Sequence, residues 1–309
     1  MKLHDCFIEF NNTITLSVSK KDSIITSRNA IRETIKKYFN DILKVKQPKF
    51  KIQGSFAINT ALQPIKDNEV DIDDGLYLQN IDSNDKTTWP TPKGIHDTIV
   101  SALENQTKDG CEDKTNCVRV IYQNDYHVDI PIYIMDNDHA LLANKKTNKW
   151  EPSDSKDFKD WYFANRNNDQ TTRIIKYLKA WRDYNQINMA SIELTILGTQ
   201  NHIPNDDDAI SLQQTVSRIY SYLFNYRVIK KPVSPYENLW ENKADVESVL
   251  KKWEQLRNDL NTAINNNSIY RATVILQEQF GERFPIIKEK ITDSSTRVYD
   301  SGPKPWKQF

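Results

Sequence analysis

Apolar positions recur at helical spacing along "DSIITSRNAIRETIKKYFNDIL", where Ile25, Ile31, Ile35, Phe39 and Ile42 mark one face and predict a long amphipathic helix. "FKIQ" then reads as a short strand running into Gly54. "EVDIDDGLYL" alternates with period two and predicts a second strand, with Gly75 marking a bend or bulge. "GIHDTIVSALENQT" predicts a helix, and "VRVIYQNDYHVDIPIYIM" predicts two β-prone strands joined at the turn "QND". The region from about 45 to 140 is therefore α+β, with mixed or antiparallel pairing expected.

Beyond Asp154 the pattern becomes helical. "DQTTRIIKYLKAWRDYNQ", "SIELTILGTQNH", "DAISLQQTVSRIYSYLFNYR", "KADVESVLKKWEQLRNDLNTAIN" and "IYRATVILQEQFGERF" each carry helical periodicity, and the Pro-containing "KKPVSPYENLW" links two of them. The expected organisation is a mixed-sheet lobe over 1–155 and a helical lobe over 156–309, braced by the first long helix. Trp181, Trp240 and Trp253 sit among apolar neighbours and read as core.

Composition narrows the function classes. Only 7 glycines among 309 residues argue against a Gly-rich dinucleotide fold. Equal counts of 42 basic and 42 acidic residues give no bulk drive toward nucleic acid. Three cysteines, Cys6, Cys111 and Cys117, are an odd and sparse set that favours a reducing compartment over a disulfide scaffold. "MKLHDCFIEF" lacks a long apolar signal core and no apolar run suffices to cross a bilayer, so a cytoplasmic protein without membrane contact is expected.

The acidic knot in "EVDIDDGLYL" needs a chemical reason. Residues two apart on a strand share a face, so Asp71 and Asp73 stand together with Ile72 opposite. Adjacent carboxylates raise one another's pKa unless a cation compensates, and Mg²⁺ prefers such hard oxygens. Asp74 points the other way and is the weaker ligand. Asp129, set between Val128 and Ile130, supplies a third acid if its strand neighbours the first, with His127 on the same face. Three carboxylates can hold two Mg²⁺ ions about 3.5–4 Å apart, the arrangement used for in-line phosphoryl displacement. Gly54 lets a backbone approach a phosphate, and Ser55 adds a hydroxyl donor. "CEDKTNC" is not a zinc-finger spacing, and "NDDDA" reads as a loop and helix cap.

Taken together, "QGSFAINT…DIDDGLYL", "HVDIPIY", "RIIKYLKAWRDYN" and "PYENLW" resemble the bacterial cGAS/DncV-like nucleotidyltransferases, the CD-NTases of CBASS anti-phage systems, within the DNA-polymerase-β-like superfamily. The resemblance runs from the first helix to about residue 245. It implies that Asp71, Asp73 and Asp129 are catalytic metal ligands for two Mg²⁺ ions, with Mn²⁺ as a substitute. It implies that Gln53, Gly54, Ser55, Lys176, Lys179 and Ser191 bind nucleotide. Lys176 and Lys179 lie three apart, on one helix face; Ser191 opens the next helix, a place suited to an anion.

The implied activity is template-independent synthesis of a cyclic di- or trinucleotide from NTPs, by a monomer that needs no nucleic-acid activator. A downstream effector would sense the product, and a CBASS regulatory partner would act on the enzyme. Two alternatives stay open: a terminal nucleotidyltransferase that modifies RNA or protein, and a non-catalytic nucleotide-binding or partner-docking protein on the same fold. In some relatives a partner enzyme conjugates the C-terminus; here the tail "SSTRVYDSGPKPWKQF" ends in Phe rather than a small residue.

Overall fold

The computed structural model describes residues 2–65, 70–122, 126–153 and 155–288. The "QND" turn and the C-terminal tail lie outside these residues. The described strands form one eight-stranded mixed sheet, β1 (Lys49–Ile52), β2 (Val70–Tyr77), β3 (Cys111–Asp113), β4 (Val118–Tyr122), β5 (Tyr126–Ile130), β6 (Ile132–Asp136), β7 (His139–Asn144) and β8 (Lys149–Pro152). β1 is antiparallel to one edge of β2. β5 and β6 both run parallel to β2 in unchanged register, Val70 facing Tyr126 and Leu76 facing Ile132. They therefore lie end to end along the other edge, with only Pro131 between them. Proline offers no amide to a ladder, and at this point the outer partner changes from β4 to β7. The expected second strand "YHVDIPIYIM" is thus two strands in line.

The chain opens with α1 (Leu3–Ile14), which sequence reasoning did not mark, followed by the long α2 (Val18–Lys37). Helix α2 continues into a π-helical turn, Tyr38–Ile42. Its buried face is Ile24, Ile31, Ile35 and Phe39 rather than one running through Ile25 and Ile42; the wider turn leaves Ile42 65% exposed. After the single turn α3 (Gly54–Ala57), α4 (Pro92–Leu103) covers the same side of the sheet, capped by Thr91 and opened by Pro92.

The helical lobe holds α5 (Ser155–Asn165), α6 (Asp169–Tyr184), α7 (Ser191–Asn201), α8 (Asp208–Tyr226), α9 (Val246–Ile264) and α10 (Ile269–Phe280). α6 is its axis, buried continuously from Thr171 to Ala180 apart from Arg173, with Trp181 packed 4.7 Å from Trp253. Bracing between the lobes is divided. Phe7, Phe10 and Ile14 of α1 enter the helical core, whereas Ile24, Ile31 and Ile35 of α2 enter the sheet core. Asp208, the last of the acidic run and the first residue of α8, is fully buried; Arg173, Gln170 and Tyr177 hold its carboxylate, so it is committed to structure. Asp207 caps α8 by accepting from the amides of Ala209 and Ile210. No described helix is long and apolar enough to cross a membrane.

Candidate active site

Strand register builds the acid cluster. In the parallel pair β2–β5, Asp73 stands beside Asp129 and Asp71 beside His127. The period-two alternation sends these side chains to the same face, while Ile72 and Val128 are fully buried on the other. Asp74 also faces the far side, where Arg32 of α2 grips both its oxygens at 2.7 and 2.5 Å. This ion pair ties the long helix to the strand that carries the acids.

Gly54 sits hard against the cluster. It adopts φ +59°, and a β-carbon placed on it would lie 2.0 Å from a carboxylate oxygen of Asp73. Both its backbone conformation and its surroundings require glycine. The loop is anchored on each side: the Gln53 amide donates to the Asp73 carbonyl at 2.9 Å, and the Thr60 amide donates to the Ser55 carbonyl at 2.9 Å. The Gln53 side chain turns toward a tyrosine pair, donating to the Tyr77 hydroxyl and accepting from the Tyr133 hydroxyl. Its carboxamide occupies the space above Gly75, where a β-carbon would come within 2.2 Å of Gln53 Nε2. Gly75 is thus neither a bend nor a bulge. It is in regular register with Lys51, and it is small because Gln53 packs over it.

The electrostatics fit a site built to receive cations. Burial, with Asp129 and then Asp71 nearby, pushes the Asp73 carboxyl up to about 6. The hydrogen bond from His127 holds the Asp71 carboxyl below its usual range. Arg119 of β4 forks onto Asp129, with Nε and Nη2 donating to the two carboxylate oxygens at 2.7 and 2.8 Å. The Cys117 thiol is pushed up to about 12 by burial and by Asp129, so it is an inert thiol in the wall of the site. Ligand atoms of Asp71, His127 and Asp129 lie within 4.8 Å of one another, close enough for one metal ion.

The cleft between the lobes consists of two adjoining cavities of about 490 and 520 Å³, a size suited to a nucleotide-scale ligand. Ser55 and Asp71 from the sheet lobe and Lys179 and Ser191 from the helical lobe line both. Asp73, Asp129, Gln53 and Gly54 line one of them. Lys179 is buried on α6, donating to the Thr60 hydroxyl at 2.7 Å, and desolvation lowers its ammonium to about 7. Lys176 is placed differently. It lines neither cavity and donates to the Thr15 hydroxyl at 3.0 Å, with its ammonium lowered by burial to about 8. Three residues apart on an α-helix means about 60° of rotation, and in a helix buried all round that separates the two lysines.

Arg182, one turn beyond Lys179, lines the cleft and donates to the Ser191 hydroxyl at 3.1 Å. Neither Arg182 nor Arg119 was marked by sequence reasoning. Alternation between the buried Val118 and Val120 is a signal that could put Arg119 on the opposite face, but nothing local identifies the acid across the ladder.

The family description "Cyclic GMP-AMP synthase DncV-like, nucleotidyltransferase domain" matches residues 48–133, the segment that contributes Gly54, Ser55 and all three acids. Residues 48–133 are thus similar to a DncV-like nucleotidyltransferase domain. The chain is 25% identical over 279 residues to a protein named "c-di-GMP synthase" from Roseivirga ehrenbergii, covering 76% of this chain and 73% of that protein. Its fold is that of Vibrio cholerae DncV in the apo form, with TM-score 0.76 at 20% identity over 91% of this chain and 96% of that one. DncV in complex with the linear intermediate 5′ pppA(3′,5′)pG gives 0.73 at 20% identity, over 89% and 93% of the two chains. Bradyrhizobium diazoefficiens CdnG in complex with GTP gives 0.75 at 17% identity, over 92% and 96%. The helical lobe beside the DncV-like domain is thus part of the shared fold.

Proposed function

We propose that the protein is a CD-NTase that joins nucleoside triphosphates into a cyclic dinucleotide and releases pyrophosphate. The observation that carries this reading is the convergence of Asp71, Asp73 and Asp129 beside Gly54 and Ser55, across a cleft from a buried lysine. The group fits divalent metal: Asp71 and Asp129 bring hard oxygens within 4.8 Å of each other and of a His127 nitrogen, and Asp73, beside Asp129 in the ladder, is uncomfortable as an isolated anion there. In the proposed site Asp71, Asp73 and Asp129 would hold two Mg²⁺ ions, with Mn²⁺ as a substitute. Such ions would neutralise the triphosphate and steady charge on the reacting phosphate.

The chain's own residues position the reactants. The Gly54–Ser55 turn, free of a β-carbon at its tightest point, receives the donor triphosphate against backbone N–H groups and the Ser55 hydroxyl. Lys179 meets the triphosphate from the helical lobe, and the anion restores the proton that burial loosens. Ser191, held by Arg182, offers a further hydroxyl at the start of α7. A ribose hydroxyl of the second nucleotide then attacks the α-phosphorus. The new P–O bond forms as the bond to pyrophosphate breaks, and the hydroxyl proton passes to the acid group. The same step run on the linear dinucleotide closes the ring.

The name of the Roseivirga relative makes GTP the first substrate to try and c-di-GMP the first product to look for. By the family resemblance, an effector would read that product in anti-phage signalling. The test is incubation with Mg²⁺ and labelled NTPs, then phosphatase and mass spectrometry. A phosphatase-resistant cyclic product that disappears in a well-folded Asp73→Asn protein supports the reading. Transfer only to added RNA points to a terminal nucleotidyltransferase, and absence of turnover points to a binding protein.

A further inference from the structure

We propose that Arg119 is a built-in counter-ion that occupies Asp129 until divalent metal arrives, so that metal loading is an exchange of a guanidinium for an ion. This rests on the reading that Asp129 is a metal ligand.

Three observations carry the inference. Arg119 stands directly opposite Asp129 in the antiparallel β4–β5 ladder, so the backbone itself delivers the guanidinium to the carboxylate. The contact is a two-pronged fork that engages both Asp129 oxygens, and the same Nη2 lies 3.8 Å from Asp71. A planar fork of this kind competes for the lone pairs that a hard cation requires. Arg119 also lines the cleft and is 28% exposed, so it has open volume to swing into when displaced.

The arrangement answers a folding problem as well. Three acids meet on adjoining strands, and without a compensating cation their repulsion would oppose the β2–β5 pairing. Arg119 supplies a positive charge that the chain carries with it. A fixed internal cation stabilises the metal-free fold and, by mass action, weakens metal binding by the same coupling. Once displaced, the guanidinium lies on the cavity wall, available to a phosphate.

The experiment is a Mn²⁺ titration followed by electron paramagnetic resonance without nucleotide, on the wild-type protein, Arg119→Gln, Arg119→Lys and Asp129→Asn. Arg119→Gln should bind Mn²⁺ about tenfold more tightly, the size of an ordinary coupling between competing ligands. Arg119→Lys, which cannot fork, should fall between it and wild type and serves if the Gln variant does not fold. Melting curves separate this from a purely structural arginine. Arg119→Gln should melt lower than wild type without metal, and Mn²⁺ should raise its melting temperature by more. Equal or weaker Mn²⁺ binding by both Arg119 variants overturns the exchange. Undiminished Mn²⁺ binding by Asp129→Asn, or no binding by any protein, overturns the metal reading of Asp129 and the exchange with it.

Discussion

Gly54 and Asp73 are in such close approach that a single added carbon on the glycine would sit 2.0 Å from the aspartate carboxylate. The loop and the acidic strand are therefore one unit: each fixes the position of the other. Gly54→Ala would have to move either the loop or the carboxylate, and would also carry a left-handed backbone penalty of about 1–2 kcal/mol. We expect turnover to be lost while the protein stays folded, as read by product formation alongside a thermal melt. Wild-type turnover in Gly54→Ala would show that the two residues need not be in contact for catalysis.

The two lysines of α6 should separate cleanly in kinetics. Lys179→Met should raise the KM for NTP about tenfold or more, because a hydrogen bond to a charged group is worth about 1.5–3 kcal/mol and about 1.4 kcal/mol is tenfold. Lys176→Met should leave KM almost unchanged, since Lys176 is engaged with Thr15 outside the cleft. Equal effects of the two substitutions would contradict the division.

Acid and base limbs should bound kcat/KM. The Asp73 carboxyl is raised to about 6, so below that pH it holds a proton that a metal ion must displace, and kcat/KM should climb as pH rises through about 6. The Lys179 ammonium is lowered to about 7, so above that pH the free enzyme loses its cation and kcat/KM should fall. Lys179→Met should abolish the alkaline fall and keep the acid limb. For stability the sign is opposite to that of a paired acid: the folded state holds the Asp73 proton more tightly than the unfolded chain. Stability of the metal-free protein should decline as pH rises through the window up to about 6, and divalent metal should remove the decline.

The Arg32–Asp74 pair tests the scaffold rather than the chemistry. Asp74 is 1% exposed and held by both guanidinium prongs. Asp74→Ala strands Arg32 and should cost about 3 kcal/mol, measured by chemical denaturation. Because Asp74 faces away from Asp71 and Asp73, nucleotide affinity of the folded fraction should persist; its loss would mean that α2 positions the acids more directly than the register alone.

Most of the long elements were legible because their apolar period is strong: α4 and α6 to α10 fall where the helical spacing places them, and β2 where alternation does. α1 was legible too, since Phe7, Phe10 and Ile14 recur at helical spacing, but the segment was read only for a signal core; what sequence does not give is that this face enters the helical core rather than the sheet core. β7 and the edge strand β8 carry little period, because both are short and half-exposed, so alternation does not mark them.

Sequence alone settled the face shared by Asp71 and Asp73, because a strand alternates whatever surrounds it. It also marked Asp129 as a charge that its apolar neighbours could not explain. Only the tertiary structure decided that Asp73 abuts Asp129, that Arg119 faces it across the ladder, and that Lys179 reaches the cleft while Lys176 does not. Register between distant strands and the rotation of a helix buried on all sides follow from how whole layers pack, and no local pattern encodes them.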